Sequence, residues 1–201
     1  MSSIIKTHVE LFAFQRSKAL QQYSGDMYFF TELPDNEFLC VLADGLGSGI
    51  EAHQSAKAVI DAVKSDPSEE LDLLMEKCNQ AVSGLRGAAV AMIRVNFAKQ
   101  TLTYTGTGNI RFYFMEVTGK MSFPLSTMGF LSGRKQLFKL KQFRYQPGSK
   151  FLIHSDGLKL RKVRSYLDSS LNALHTGHRI ERQIASVPED DVSFVVGKFL
   201  D

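Results

Sequence analysis

Residues 38–55 read FLCVLADGLGSGIEAHQS. An apolar run from Phe38 to Ala43 ends in Asp44, glycines follow at 45, 47 and 49, and from Gly49 the apolar spacing turns helical. Strand, glycine loop, helix is the order of a phosphate-cradling turn. A dinucleotide-binding loop, however, needs G-x-G-x-x-G, and here the third glycine comes one residue early. No Lys-Ser/Thr pair follows the glycines, which excludes a P-loop. Asp44 is the stronger objection. A carboxylate at the mouth of a phosphate site repels the ligand unless a cation stands between them.

The neighbours of this stretch set the fold class. Residues 4–15 alternate as a strand, and DMYFFTEL (26–33) pairs with EFLCVLA (37–43) across a turn at Pro34-Asp35-Asn36. Ile50, Ala52, Ala56, Val59, Ile60 and Val63 share one face of a helix over 49–64. Leu71, Leu74, Met75, Cys78 and Val82 mark a second helix from about Ser68, with Ser68-Glu69-Glu70-Leu71 read as its cap region. GAAVAMIRVNF (87–97), TLTYTGTG (101–108) and IRFYFMEV (110–117) are strand-like. KLKQFRYQ (139–146) and KFLIHSD (150–156) read as a hairpin turned at Pro147-Gly148. GLKLRKVRSYLDSSL (157–171) and RIERQIASV (179–187) read as helices, and DVSFVVGKFL (191–200) as a closing strand. Runs of hairpins with two inserted helix pairs predict an α+β fold. The expected form is a four-layer α-β-β-α sandwich, two mostly antiparallel sheets flanked by helix pairs. A length of 201 residues suits one domain over 1–201, with no separate regulatory domain.

Bulk composition narrows the partners. A net charge of +3 is too mild to demand nucleic acid, and no stretch has the length of a membrane span. Cys40 and Cys78 sit in apolar surroundings and read as buried free thiols, which fits a reducing compartment. The N-terminal MSSIIKTHVELF has no apolar signal core. The expectation is a cytoplasmic monomer that binds neither nucleic acid nor membrane.

If a cation faces Asp44, other strand tips should supply carboxylates, because one aspartate cannot hold a hard divalent ion. They do. KFLIHSDGL places Asp156-Gly157 after an apolar run, VPEDDVSFVV places Asp190 and Asp191 before the last strand, and QYSGDMYFF places Asp26 at the start of an early one. One Asp-Gly alone is a common turn dipeptide. Carboxylates gathered at several strand tips repel one another, and metal binding is the common reason to tolerate this. The other candidates are weaker. His175 and His178 lack the glutamate and spacing of a helical zinc site and read as a surface turn. His154 shares the facing of Asp156 by strand alternation and reads as a core or rim histidine, with a supporting place behind a metal ligand as its alternative, and His53 reads as solvated. Ser48 and Ser155 lack the pattern of a nucleophile with its base.

Taken together, Ser24-Gly25-Asp26, Ala43-Asp44-Gly45-Leu46-Gly47, His154-Ser155-Asp156-Gly157 and Asp190-Asp191-Val192-Ser193 resemble the metal-dependent (PPM-type) serine/threonine protein phosphatases. The likeness is greatest to their bacterial SpoIIE-like branch, over nearly the whole chain. The resemblance implies a β-sandwich with helices on both faces and two Mn²⁺ or Mg²⁺ ions at one end, a third being left open. Asp44 would bridge both ions and the Gly45 carbonyl would complete the shell of one. Asp156 and Asp190 would hold the other, with Asp26 acting through a bound water. Asp44, Asp156 and Asp190 are the implied catalytic set. Asp191 is a further ligand or only orients Asp190; chemistry alone does not separate the two. No arginine matches the phosphate-binding arginine of the eukaryotic members, Arg16 included. By likeness to the short members of the branch, the substrates would be phosphorylated STAS-domain proteins of the stressosome. Their dephosphorylation would give negative feedback on a stress sigma-factor pathway. The rivals are a catalytically inactive binding module of the same fold and a nucleotide-binding enzyme. The basic stretches GRKQLFKLKQFR and KLRKVR read as solvated faces, or else as a docking surface, and residues 123–140 as a flap.

Overall fold

A computed structural model describes residues 2–5, 8–19, 21–167 and 170–201. Eleven strands and four helices are defined among them. The strands are β1 (Ser2–Ile5), β2 (Val9–Arg16), β3 (Asp26–Leu33), β4 (Glu37–Gly45), β5 (Ala88–Asn96), β6 (Thr101–Thr107), β7 (Arg111–Met115), β8 (Met121–Ser122), β9 (Lys141–Arg144), β10 (Lys150–His154) and β11 (Val192–Phe199). The helices are α1 (Ile50–Ser65), α2 (Leu71–Ala81), α3 (Val163–Leu167) and α4 (Ala173–Glu181). One sheet runs β1-β2-β11-β10-β7-β8 and the other β3-β4-β5-β6-β9, with every pairing between named strands antiparallel. Helices α1 and α2 cover the second sheet, and α3 and α4 the first. This is the expected four-layer sandwich.

Strand alternation builds the layers. In β4, Phe38, Cys40 and Leu42 enter the core between the sheets, while Leu39, Val41 and Ala43 pack under α1 and α2. In β11, Val195 and Phe199 face the other sheet, while Val192, Phe194 and Val196 face α3 and α4. Both cysteines are free and fully buried. Extended along each strand, the same parity carries Asp26, Asp44, Asp191 and Ser193 to one end of the inter-sheet layer.

Several local expectations are corrected. The stretch read as one strand over 4–15 is two antiparallel strands, β1 and β2. The predicted hairpin at Pro147-Gly148 does not form: β9 pairs with β6 in one sheet and β10 with β7 and β11 in the other. The turn is real, but it carries the chain from sheet to sheet. The cap read at Ser68 is absent. Ser68 Oγ donates to Asp66 at 2.9 Å, and the Arg94 guanidinium instead donates to the carbonyls of Pro67, Ser68 and Glu69 at the entry to α2. Ile50 opens α1 but stays half exposed, outside the buried face.

The last helices are the largest correction. Among the described residues of 157–171 only Val163–Leu167 is helical, and α4 begins six residues before the predicted start. His175 and His178 therefore lie within a helix, not a surface turn. Asn172 caps it, its side chain accepting from the His175 N–H at 2.9 Å. Gly177 brings α4 against β2, since a Cβ there would stand 2.1 Å from Cδ1 of the fully buried Phe12. We expect Gly177→Ala to destabilise the fold by about 1–3 kcal/mol, overpacking outweighing the better helix propensity. Urea denaturation checks this; an unchanged midpoint would refute it.

Candidate metal centre

Asp26 and Asp44 are direct cross-strand partners, at the first residue of β3 and near the end of β4. Like charges placed opposite each other destabilise a sheet. Asp44 is followed by Gly45, whose place is dictated by packing. A Cβ at Gly45 would stand 1.9 Å from the Ala52 carbonyl oxygen, so only glycine lets the first turns of α1 seat against the strand end. Gly157 repeats the arrangement, a Cβ there falling 2.1 Å from the Asp191 carbonyl oxygen. Neither Asp-Gly pair is thus a mere turn. Gly49 serves differently: at φ 73° and ψ −151° it holds a conformation open essentially only to glycine, and it starts α1 directly behind the loop.

The five sequence-predicted aspartates meet. Asp26, Asp44, Asp156, Asp190 and Asp191 line one cavity of about 210 Å³, together with Gly45, Leu46, Gly47 and Asn109. Among the described residues no cationic side chain lines it. Burial pushes the Asp26 carboxyl up to about 7, with Ser155 and Ser193 pulling it down and Asp191 and Asp156 adding to the rise. Burial likewise pushes Asp44 up to about 8, and the charges of Asp26, Asp156, Asp190 and Asp191 add to it. Asp26 Oδ2 is buried and has no hydrogen-bond partner. A buried acceptor left in this state costs about 1–3 kcal/mol.

Asp190 and Asp191 play separable parts. Asp191 is buried, and its two oxygens accept backbone N–H groups, Lys18 at 2.9 Å and Gly25 at 2.8 Å. It clips the loop before β3 onto the start of β11. Asp190 is exposed; one oxygen accepts the Asp191 N–H at 2.9 Å and the carboxylate stands at the cavity. Asp191→Asn is therefore expected to cost about 1–3 kcal/mol in stability. Asp190→Asn should leave stability within about 0.5 kcal/mol, as an exposed substitution does. Paired thermal melts in chelator decide this, and equal losses would refute the division.

One lining residue escaped the sequence reading. Asn109 Nδ2 donates to Asp156 Oδ2 at 2.7 Å and so orients that carboxylate. An asparagine after Gly108 looks like an ordinary turn residue; only the fold sets it against Asp156. The histidines stand elsewhere. His154 is buried on the helix side of its sheet, stacked on Tyr113 at 5.8 Å, and burial lowers its pKa to about 4. His53, read as solvated, is half buried, with Nδ1 2.9 Å from the Ser24 carbonyl oxygen. Arg16 is occupied away from the cavity, donating to the Ala185 carbonyl at 3.0 Å.

Among the described residues no three His, Cys, Asp or Glu side chains close on a single point. The carboxylates ring the cavity, Asp191 drawn back by amides and Asp156 by Asn109. The donor set still fits hard divalent cations. It is all oxygen, it concentrates negative charge with no lining cation, and it holds a buried carboxylate oxygen without a partner.

Comparison with known proteins adds the family. The profile of Stage II sporulation protein E (SpoIIE) matches residues 34–199. The phosphoserine phosphatase RsbX of Bacillus subtilis (strain 168) is 35% identical over 191 residues, which cover 95% of each chain. This chain belongs to the SpoIIE family. A crystal structure of RsbX in complex with magnesium superposes with a TM-score of 0.93 at 32% identity, over 98% of both chains. A structure described under the bacterial stressosome as "a modular system that has been adapted to control secondary messenger signaling" matches with a TM-score of 0.85 at 26% identity, over 94% of this chain and 99% of the other. The SpoIIE-type chain described here is an enzyme of the metal-dependent serine/threonine phosphatase class. Among its described residues no helix is long and apolar enough to cross a membrane.

Proposed function

We propose that this SpoIIE-family phosphatase removes phosphate from serine or threonine on phosphorylated STAS-domain proteins of the stressosome. By doing so in the cytoplasm it acts as a negative feedback regulator of a stress sigma-factor pathway, with residues 1–201 working as one phosphatase domain. The observation that carries the chemistry is the ring of five aspartates between the ends of two sheets, with no cation among the lining residues. The likeness to RsbX supports the phosphoserine chemistry, and the likeness to the structure described under the bacterial stressosome supports the pathway.

In this reading Asp44, Gly45, Asp156 and Asp190 hold two Mg²⁺ or Mn²⁺ ions. When bound, such a pair activates water and neutralises charge on a phosphoryl group. The chain's own residues do the rest. Asp44 would hold the ions from the end of β4, and Gly45 beside it lets the first turns of α1 seat against that strand end. Asn109 holds Asp156 in one orientation. Asp191 contributes by positioning Asp190, because its own oxygens are spent on backbone amides. Asp26, opposite Asp44, would take part through a water held at its buried Oδ2.

The deciding experiment uses a serine-phosphorylated STAS-domain stressosome protein, followed by intact mass, with Mn²⁺ or Mg²⁺ and then with excess chelator. Loss of one phosphate mass that requires metal is the expected result. Turnover of a small aryl phosphate without turnover of the STAS-domain protein would overturn the substrate assignment. Folded protein inactive on both would leave a binding module.

A further inference from the structure

Beside the carboxylate cavity lies a second depression of about 400 Å³ that the metal chemistry does not use. The two share walls, since Leu46 and Asn109 line both. Its remaining side walls are Ala89, Met128 and Phe130, so the lining is chiefly apolar. Met128 is 94% exposed and Phe130 42%. Among the described residues, half of the twelve exposed large apolar side chains fall between Phe123 and Leu140. An apolar concentration of this kind on a soluble surface marks a contact site.

The segment that builds this wall is irregular but pinned, unlike the flap expected from sequence. The Thr127 N–H donates to the Gly106 carbonyl at 2.8 Å and the Gly108 N–H to the Thr127 carbonyl at 3.0 Å. Leu131 is fully buried and exchanges backbone hydrogen bonds with Ala88 at 2.8 and 3.1 Å. The buried amide of Asn79 accepts from the N–H groups of Ser132 and Gly133 and donates to the Arg134 carbonyl at 2.8 Å. Met128 to Phe130 thus project between two fixed ends. A wall ordered before binding loses little entropy when it is used.

The chain that follows the wall is basic. No acidic residue occurs between Glu116 and Asp156, and Arg134, Lys135 and Lys139 are exposed.

We propose that this depression is a subsite for an apolar side chain flanking the phosphoserine, on an acidic protein segment that the exposed basic stretch Arg134–Lys139, next along the chain, attracts. The proposal deepens the phosphatase reading and rests on it. With the phosphoryl group in the carboxylate cavity, the shared walls at Leu46 and Asn109 leave reach for a residue one or two positions away, at about 3.3 Å per residue. The subsite would reward an apolar neighbour, and the basic stretch would favour acidic sequence beyond it.

The test measures kcat/KM on acidic phosphoserine peptides in which the residue on either side of the phosphoserine is Leu, Gly or Asp. Para-nitrophenyl phosphate serves as the control for the phosphatase reading. One flank is expected to favour Leu over Gly by about tenfold, the return on partly burying one side chain. Met128→Ser, at a site too exposed to threaten the fold, should flatten that ratio to about twofold or less, while Arg134→Ala with Lys135→Ala should weaken all acidic peptides alike. Para-nitrophenyl phosphate turnover with no flank preference overturns the subsite and leaves the phosphatase standing. No metal-dependent turnover of either substrate overturns both. A flank-independent rate together with self-association lost in Met128→Ser would assign the face to a second copy of the chain, and would likewise overturn the proposal.

Discussion

Asp44→Asn is expected to lower metal-dependent phosphatase turnover by more than about 100-fold while leaving the fold intact. Residues that only orient a metal ligand cost about 10–100-fold when replaced, so a carboxylate shared by two ions should exceed that. The variant keeps the size and packing of the side chain, and Gly45 still admits Ala52 behind it. What it removes is one charge from a ring of five. In chelator near pH 8 it should therefore melt higher than the native chain, because burial and four neighbouring carboxylates disfavour the Asp44 charge. Loss of activity with a gain in metal-free stability separates a ligand from a structural residue. Activity within about tenfold of native would refute the assignment.

The metal-free protein should lose stability as pH rises from about 5 to about 8, by a few kcal/mol in total. The sign follows from proton counting. The carboxyls of Asp26 and Asp44 are raised from 3.8 to about 7 and about 8 in the fold, so across that window the native state binds more protons than the unfolded chain. Stability is then greatest on the acid side and falls as pH climbs through the folded pKa values. Divalent metal should reverse the trend. It competes with protons for the same oxygens, and at about 100 times its Kd it adds about 2.7 kcal/mol. Thermal melts at several pH values, in chelator and in excess Mg²⁺, test both halves. A chelated melting temperature that stays level or rises between about pH 5 and pH 8 would refute the buried-charge account.

Much of this was legible in the chain because it is written in local patterns. The unbroken apolar run in EFLCVLA predicted a strand, and in the fold the parity of Phe38, Cys40 and Leu42 carries Asp44 to the inter-sheet side. The apolar face of α2 is as its spacing predicts, with Leu71, Leu74, Met75, Cys78 and Val82 all buried. The carboxylate set was readable because each aspartate sits at the tip of an apolar run.

Other features depend on contacts distant in sequence. Pro147-Gly148 specifies a turn, but a turn does not say whether the strands it joins pair with each other; here β9 finds β6 and β10 finds β7 and β11. Gly177 in a helix offends propensity, and only Phe12 pressing from β2 explains it. Asp190 and Asp191 are chemically identical neighbours. The amides of Lys18 and Gly25, more than 160 residues earlier in the chain, spend one of them on structure.

By itself, then, the sequence determined the layered fold, the family resemblance and the five carboxylates, since periodicity and strand-tip chemistry are short-range properties. The tertiary structure alone decided which aspartate is spent on the Lys18 and Gly25 amides, that Asn109 holds Asp156, and that an apolar hollow adjoins the carboxylate ring. Those depend on which distant segments meet, and the meeting of the two sheets creates both the cavity and its neighbour.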